Sequence, residues 1–231
     1  MDKTIAITGI NAVDSPGPGV AVARSLTAHY GQNISLIGLA YDAIDPGLFD
    51  PELFRDGYLL PYPVNGKDAL LNRLKEIHSK KKLDVIIPTL DSEMLNFSEI
   101  EPDLKKMGIK MFIPSPEQIT ARSKINLTGL ASEYGFNVPR TAVVHDYQNL
   151  EHSAQWIGFP LFVKGIYYEA YKCHNLDQVH AFANLIAGRW GFPLLLQENL
   201  EGEEFNAAAI GDGKGATVSA LCMKKILYTD K

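Results

Sequence analysis

The sequence has few cysteines and no long apolar run, and these shortages exclude several classes of protein. Its two cysteines, Cys173 and Cys222, lie far apart and outside any CxxC spacing, so they indicate neither a disulfide framework nor a zinc site. No apolar run approaches the roughly 18 residues of a membrane-spanning helix. The opening "MDKTIAIT" lacks the apolar stretch of a signal peptide. We therefore expect a cytoplasmic protein with no membrane partner.

A basic surface and the common catalytic motifs are also lacking. The formal net charge of −5 argues against a general nucleic-acid surface, although it permits a local basic pocket. The histidines show no HExxH spacing, and the sequence contains no G-x-S-x-G turn. What remains is the composition of an ordinary globular protein, 46% hydrophobic and 21% charged. At 231 residues, two domains are expected.

The first half of the sequence alternates strand-like and helical segments. Short runs rich in isoleucine and valine have the composition of buried parallel strands: "KTIAIT", "NISLIGLA", "DVIIPT" and "IKMFIP". Helical stretches separate them, for example "DALLNRLKEIHSKKK", which places Leu70, Leu71, Leu74 and Ile77 on one face. We predict an α/β fold with a Rossmann-like parallel sheet, and a loop over "YDAIDPGLFDPELFRDGYLLPYPVNG".

The pattern changes near Pro114. "PSPEQI" places Ser115 as a helix N-cap with Gln118 as its capping-box partner, and "KINLTGLASEY" should form a helix that ends at the following glycine. Strand-like runs "RTAVV", "FPLFVKG" and "FPLLLQENL" come next, and a last pair of strands turns at "DGKG". We predict a Rossmann-like domain over 1–113 and an α+β domain with antiparallel pairing over 114–231.

A glycine-rich turn, "TGINAVDSPGPGVAVARSL", follows the first strand and suggests a dinucleotide site, whose fingerprint is G-x-G-x-x-G/A. Gly17 and Gly19 supply the first two glycines. Val22 stands at the third position, where close packing of helix on strand needs a minimal side chain, and Pro18 has no backbone N–H. The fingerprint is incomplete, so an NAD-dependent dehydrogenase is the least favoured of the functions considered. The turn is interpreted mainly as a strand–helix connection.

Two acids follow the predicted strand "DVIIPT". Asp91 and Glu93 stand in "PTLDSE", at the kind of strand end where open α/β sheets bind ligands. Acidic residues are also common at helix N-termini, because they interact favourably with the helix dipole. Both interpretations stay open at this point.

Motifs in the second half resemble the ATP-grasp superfamily, which includes biotin carboxylase, D-alanine–D-alanine ligase and the carbamoyl-phosphate synthetase large subunit. Lys164 ends "FPLFVK" as the superfamily's strand lysine does, and "QENLEGEE" matches its acid-acid-x-x-x-Gly-x-Glu segment with one substitution. "RSKINLTGLASEYGFNVPRT" resembles the helix that carries its other lysine, here Lys124. "TGINAVDSPGPG" and "VIIPTLDSE" resemble the domain that precedes ATP-grasp in the carbamoyl-phosphate synthetase branch. The resemblance spans nearly the whole chain.

The resemblance implies an ATP site in the second half. Lys124 and Lys164 would supply positive charge to the phosphates, which a net acidic protein needs locally. The base and the ribose would be bound by Gln197 and Glu198 at the start of a hinge, Asn199 and Leu200 beside the adenine, and Glu204 at the ribose hydroxyls. A carboxylate suits a diol because it accepts two hydrogen bonds. Taken singly, Lys124 also fits a solvated helix face, and the acidic run also fits a surface turn.

Two departures from the superfamily pattern affect this interpretation. The superfamily follows the strand lysine with a proline and a glycine-rich loop, whereas "KGIYYEAYKCHN" predicts a short aromatic lid closed by Tyr167 or Tyr168. The superfamily's magnesium-binding acid and asparagine lie C-terminal to "MKKILYTDK". We therefore expect an incomplete ATP-grasp region whose magnesium ligands lie beyond the end of this chain, and an inactive chain on its own.

The function implied by the resemblance is an ATP-dependent ligase, nearest to the carbamoyl-phosphate synthetase large-subunit branch. With ATP and magnesium as cofactors, it would activate a carboxylate as an acyl phosphate for attack by an amine or another nucleophile. Bicarbonate is one candidate for the carboxylate. The expected partners are therefore small-molecule substrates, and a homodimer stays open. The alternative from a different class is a non-catalytic ATP-binding module.

Overall fold

A computed structural model of the chain describes residues 3–12 and 17–226. The chain divides into two compact units between Ile119 and Thr120. This division lies close to Pro114, where the sequence places a domain boundary, and whether the halves fold separately stays a prediction. Within the described ranges, no helix is long and apolar enough to cross a membrane.

The chain contains both helices and strands, which are named here in chain order. In the first unit and across the division they are β1 (Lys3–Ile7), α1 (Gly19–Tyr30), β2 (Ile34–Ala40), β3 (Asp56–Leu59), α2 (Gly66–Lys81), β4 (Val85–Ile87), α3 (Met94–Lys106) and α4 (Pro116–Ala121). In the second unit they are α5 (Leu127–Tyr134), β5 (Thr141–Val144), α6 (Leu150–Ile157), β6 (Leu161–Lys164), β7 (Ala170–Cys173), α7 (Leu176–Trp190), β8 (Leu194–Glu198), β9 (Phe205–Gly211) and β10 (Thr217–Lys224).

The first unit is built on a parallel sheet with the strand order β3-β2-β1-β4. Every pairing in this sheet is parallel, and α1 and α2 form the crossovers from β1 to β2 and from β3 to β4. The predicted apolar face of α2 is buried, and it packs in one core cluster with β1, β2 and α3 through Ala6, Ile37, Leu39, Leu70, Leu74, Ile77, Phe97 and Leu104. This arrangement confirms the Rossmann-like prediction for the first half.

Two predictions of secondary structure in the first unit are wrong, one of a strand and one of a loop. "IKMFIP" is not a strand, since Lys110 makes only an isolated parallel bridge to Val85. Phe112 beyond it is exposed, and the prolines that follow have no N–H to donate to a sheet. The fourth strand is instead β3, inside the connection predicted as a loop. At four residues with an internal glycine, β3 is too short to show a periodic apolar pattern.

The glycine-rich turn packs α1 against β1 at Gly19, not at Val22. A Cβ on Gly19 would collide with the backbone oxygen of Thr8. The Gly19 N–H donates to the Gly9 oxygen at 2.9 Å, and the Gly17 N–H donates to the Asn11 oxygen at 3.1 Å. These two amides are engaged within the chain, which gives a physical reason why the turn departs from the dinucleotide fingerprint. Residues 13–16 of the turn lie outside the described residues.

Glu93 connects the ends of three parallel strands. Its buried carboxylate accepts hydrogen bonds from the hydroxyls of Thr8, after β1, and Tyr41, after β2. It also accepts from the backbone N–H groups of Thr89, at 2.9 Å, and Leu90, at 3.0 Å, after β4. Burial raises the pKa of Glu93 above its usual range despite these donors. Glu93 is therefore a structural acceptor inside the fold, while Asp91 is exposed.

The second unit contains an antiparallel sheet with the strand order β5-β8-β6-β7. Helices α6 and α7 pack on one face, around a core that includes Val144, Ala154, Leu161, Val163, Val179, Ala183, Leu194 and Leu196. The predicted antiparallel α+β architecture is confirmed. β7 is an additional strand, which the sequence analysis placed within a lid.

Predicted helix ends in this half are confirmed by their hydrogen bonds. The Ser115 N–H donates to Gln118 Oε1 at 2.9 Å, and the Gln118 N–H donates to Ser115 Oγ at 3.3 Å, which forms the capping box. Helix α5 ends at Gly135 in the left-handed conformation, with φ of 72°. A further cap, for which the sequence analysis made no prediction, is Asn175 at the start of α7, which accepts from the Gln178 N–H at 3.0 Å.

The last two strands form a separate antiparallel hairpin. The predicted "DGKG" turn is confirmed, because Asp212 Oδ1 accepts from the N–H groups of Lys214, at 2.7 Å, and Ala216, at 3.0 Å. Every residue of β9 and β10 is exposed, including large apolar side chains such as Ile210 and Leu221. In the described part of the chain, this hairpin is a sheet of two strands.

We expect Glu93→Leu to destabilise the first unit by about 3 kcal/mol, because four donors in a buried place would lose their acceptor. Glu93→Gln should cost less, since its amide keeps an acceptor oxygen and the two hydroxyls can reorient. Hydrogen exchange of the strand amides in the first unit measures both variants. Equal protection in wild type and Glu93→Leu would contradict the structural role.

The raised pKa of Glu93 also predicts a pH dependence. An acid whose pKa is higher in the folded than in the unfolded chain contributes most to stability when it is protonated in both states. The free energy of unfolding of wild type should therefore fall relative to Glu93→Gln as the pH rises from about 4, near the unfolded pKa. A difference between the two proteins that stays constant from acid to neutral pH would exclude this titration.

Candidate functional site

One face of the antiparallel sheet in the second unit lines a cavity of about 930 Å³. Alternation along β6 buries Leu161 and Val163 in the core and sends Phe162 and Lys164 to the opposite face. Most of the residues predicted to bind ATP line this cavity, namely Lys164, Gln197, Glu198, Asn199, Leu200 and Glu204. The structure thus brings together side chains that lie far apart in the sequence.

Lys164 is the central cation of the cavity, and two neighbours position it. Its ammonium donates to Gln197 Oε1 at 2.6 Å and lies 5.1 Å from the centre of the Phe162 ring. Gln197 Nε2 in turn donates to Thr141 Oγ1 at 2.9 Å. This bond to β5 fixes the amide so that its oxygen points at the lysine. The side chain of Gln197 therefore supports Lys164, a contact that the predicted hinge role did not include.

The pKa of Lys164 is lowered, mainly because the ammonium is partly buried and loses hydration. Lys124 and Lys225 lower it further by electrostatic repulsion, while Glu204 opposes them by attraction. Three neighbouring charges therefore act on Lys164 together. The lining of the cavity carries both signs of charge, so Lys164 and Lys225 offer a local attraction to an anionic group and not a generally basic surface.

Lys124 begins the short 3₁₀ turn before α5. Its ammonium donates to the backbone oxygen of Tyr167 at 3.1 Å. Tyr167 lies in residues 165–169, which connect β6 to β7. Lys124 thus holds the segment that directly follows Lys164, instead of lining the cavity wall with the other predicted residues. Its repulsion of Lys164 nevertheless places it within electrostatic reach of the site.

The segment predicted as a lid is a tight turn followed by a strand. The Gly165 N–H donates to the Glu169 oxygen at 3.2 Å, and a Cβ on Gly165 would collide with the backbone oxygen of Tyr168. Glu169, at φ of 68°, forms an ion pair with Arg189. The second half of the predicted lid pairs with β6 as β7, so that part of the prediction is wrong. A four-residue strand beside a turn gives little periodic signal.

The end of β8 is tied to β5 by a charged pair. Glu198 accepts from the Arg140 backbone N–H at 2.6 Å and from Arg140 Nε at 2.8 Å, and these bonds lower the pKa of Glu198. Asn199 follows, and its N–H donates to the Pro160 oxygen at 3.4 Å. Leu200 is largely exposed. The side chain of Glu198 therefore anchors the strand end, and Asn199 and Leu200 continue from it along the cavity.

Glu204 lies at the far end of the segment that follows β8, and it forms an ion pair with Lys225. Lys225 Nζ is 3.0 Å from Glu204 Oε1, and the Lys225 N–H donates to the Glu204 oxygen at 2.8 Å. Both residues line the cavity. The sequence analysis missed Lys225, because only the pairing of β9 with β10 brings it beside Glu204. Only the register of the β9–β10 hairpin could have identified Lys225 as the partner of Glu204.

A metal site is not evident in the structure. Over residues 3–12 and 17–226, no three histidine, cysteine, aspartate or glutamate side chains form a group that could hold a metal ion. The acids of the cavity are engaged with cations instead, as Glu204 is with Lys225 and Glu203 with Lys224. Magnesium at a nucleotide is commonly held by one or two carboxylates together with the phosphates, so any such role for Glu203 or Glu204 would require the release of its lysine.

Solved structures provide the informative comparison, since no protein-family model and no curated protein matches the sequence. An ADP complex of N5-carboxyaminoimidazole ribonucleotide synthetase matches with a TM-score of 0.67 and 14% identity, over 99% of this chain and 55% of that one. Biotin carboxylase from Campylobacter jejuni matches with a TM-score of 0.64 and 17% identity, over 94% and 49%. The chain has the ATP-grasp fold.

A third ATP-grasp match is the biotin carboxylase domain of 2-oxoglutarate carboxylase from Hydrogenobacter thermophilus. Its TM-score is 0.59 and its identity 17%, over 90% of this chain and 46% of that domain. The present chain thus spans about half the length of these ATP-grasp structures. Identities this low establish the shared fold alone.

We expect the pKa of Lys164 to lie below the value of about 10.4 that is usual for lysine. Lys124→Gln should raise it, because a neighbouring positive charge is removed, and Glu204→Gln should lower it further by removing a negative one. Titration of the Lys164 Cε signal by NMR measures the three proteins. Lys80→Gln, at an exposed position of α2 in the first unit, is the control. If neither Lys124→Gln nor Glu204→Gln moved the titration of Lys164, then Lys124 and Glu204 would not share one site with Lys164.

Proposed function

We propose that this chain provides the nucleotide-binding part of an ATP-dependent ligase of the ATP-grasp type. The observation that carries the proposal is the partly buried Lys164, positioned by Gln197 in a cavity that also contains Glu204. Adenine nucleotides are reported in the similar structures: MgADP in the Hydrogenobacter domain, ADP in the carboxyaminoimidazole ribonucleotide synthetase, and a β,γ-ATP complex in the Campylobacter enzyme.

Each part of ATP has a chemical partner among the residues of the proposed site. Lys164 offers a compact cation to the phosphates, and Lys124 adds a second from the turn before α5. Glu204 offers a carboxylate that can accept two hydrogen bonds from the ribose diol. The chain after β8, at Asn199 and Leu200, offers backbone groups and an apolar side chain to adenine. Gln197 and Glu198 would orient Lys164 and fix the strand end, respectively.

The proposed reaction is activation of a carboxylate as an acyl phosphate, followed by attack of an amine or another nucleophile. ATP would supply the phosphoryl group, and the lysines would stabilise the negative charge that develops during transfer. The sequence segments favour the carbamoyl-phosphate synthetase large-subunit branch. Bicarbonate is a reasonable acceptor, and the Hydrogenobacter structure was obtained with bicarbonate. The acceptor and the nucleophile of this chain are best identified by experiment.

A second candidate function is a non-catalytic ATP-binding module. The observation that favours it is that Glu203 and Glu204 of the cavity are paired with Lys224 and Lys225, since phosphoryl transfer depends on a divalent cation beside the phosphates. This candidate uses the same nucleotide site and differs from the first only in turnover. Measurements of binding and of turnover therefore distinguish the two.

We expect Lys164→Ala to weaken ATP binding at least about tenfold, the effect of losing one charge-assisted hydrogen bond. Isothermal titration calorimetry measures the dissociation constant. Lys80→Ala, which removes an exposed lysine of the first unit, should leave it unchanged. Unchanged affinity in Lys164→Ala would remove this lysine from the site, and a wild-type chain that fails to bind ATP would refute the proposed function.

We expect this 231-residue chain to bind ATP with little help from magnesium and to form no measurable ADP. The reason is that magnesium would have to displace a lysine from Glu203 or Glu204 before either carboxylate could hold it beside the transferring phosphoryl group. ADP release, assayed with and without magnesium across bicarbonate, amino acids and other small carboxylates, measures turnover. Magnesium-dependent ADP formation would mean that the chain has its own metal ligands, and it would favour the ligase over the binding module.

A further inference from the structure

Lys225 and Glu204 form an ion pair inside the cavity, at the place where the final hairpin meets it. Their charged atoms are 3.0 Å apart, and the backbone bond between the same two residues holds them in register. The side chains are only partly exposed, 36% for Lys225 and 48% for Glu204. Both residues line the cavity with Lys164 and act on it electrostatically, so the pair is part of the charge balance of the site.

The pairing has a consequence for any ligand that uses Glu204. While Lys225 occupies the carboxylate, a sugar diol must compete with an ammonium for the same oxygens. Releasing Glu204 takes a negative charge away from Lys225 in a cavity that also contains Lys164, and the repulsion between the two ammonium groups is then less well compensated. A ligand that also carries negative charge removes this difficulty, because its phosphates can take the place of Glu204 at Lys225.

We propose that Lys225 and Glu204 exchange partners on nucleotide binding, so that Lys225 moves from the Glu204 carboxylate to a phosphate group and Glu204 becomes available to the ribose hydroxyls. This inference rests on the proposed ATP site and adds a third lysine to it. The exchange makes binding of the sugar depend on the presence of phosphate. A nucleoside without phosphates therefore loses the phosphate contacts and also meets a Glu204 that is still paired with Lys225. For both reasons the site favours nucleoside polyphosphates over the corresponding nucleosides.

The neighbouring residues of the hairpin provide a matched control. Lys224 pairs with Glu203 through side chains, one residue away along each strand segment. Glu203 lines the cavity, and Lys224 is not among its lining residues. Lys224→Gln therefore removes one charge and one ion pair from the same hairpin without removing a cation from the cavity wall.

The test compares ATP and adenosine by calorimetry in wild type, Lys225→Gln and Lys224→Gln. We expect Lys225→Gln to bind ATP about tenfold more weakly, the loss of one charged contact. It should bind adenosine more tightly than wild type, because Glu204 no longer has a competing ammonium. Lys224→Gln should change neither affinity. In Lys225→Gln/Glu204→Gln, the gain for adenosine should disappear. Circular dichroism and thermal unfolding establish that each variant is folded.

Opposite changes for the two ligands are the signature of exchange. If Lys225→Gln weakened ATP and adenosine equally, Lys225 would only support the hairpin, and unchanged ATP affinity would exclude it from the phosphate site. Either result overturns the exchange. It leaves the proposed function intact, provided that wild type binds ATP and that this binding depends on Lys164. If wild type bound no ATP, the proposed function would fall, and the exchange with it.

Discussion

The alternation of side chains along β6 is the constraint on which the candidate site depends. Leu161 and Val163 are buried between the sheet and its helices, and their burial fixes the face on which Lys164 must lie. A shift of one residue in register would send the lysine into the apolar core. The core of the second unit thereby determines the position of its principal cation, and a separate catalytic loop is unnecessary for placing it.

Glu93 and Lys164 illustrate two ways in which this chain accommodates a buried charge. Glu93 accepts four hydrogen bonds, from hydroxyls and backbone groups that follow three strands, so its capacity is used inside the fold. Lys164 donates to Gln197, whereas an ammonium has three hydrogens to donate. The acid is therefore suited to hold strands together, and the lysine is suited to receive a ligand with acceptor oxygens.

Predictions from the sequence succeeded where the signal is local. The capping box at Ser115, the apolar face of α2 and the turn at Asp212 depend on residues a few positions apart, and the structure contains all three. They failed for β3 and β7, which are strands of four residues and gain their stability from neighbouring strands. The approach of Lys225 to Glu204 and the burial of Glu93 arise from tertiary pairing. No periodicity in a single segment could have revealed them.

The exposed hairpin of β9 and β10 has a consequence for how the protein behaves in concentrated solution. A ribbon of two strands is only marginally stable by itself in water, and here it presents apolar side chains such as Ile210 and Leu221 to solvent. Its outer backbone edges are templates for the addition of any extended chain. A polypeptide that paired with one of these edges would cover apolar side chains and hold the residues around Glu204 more rigidly.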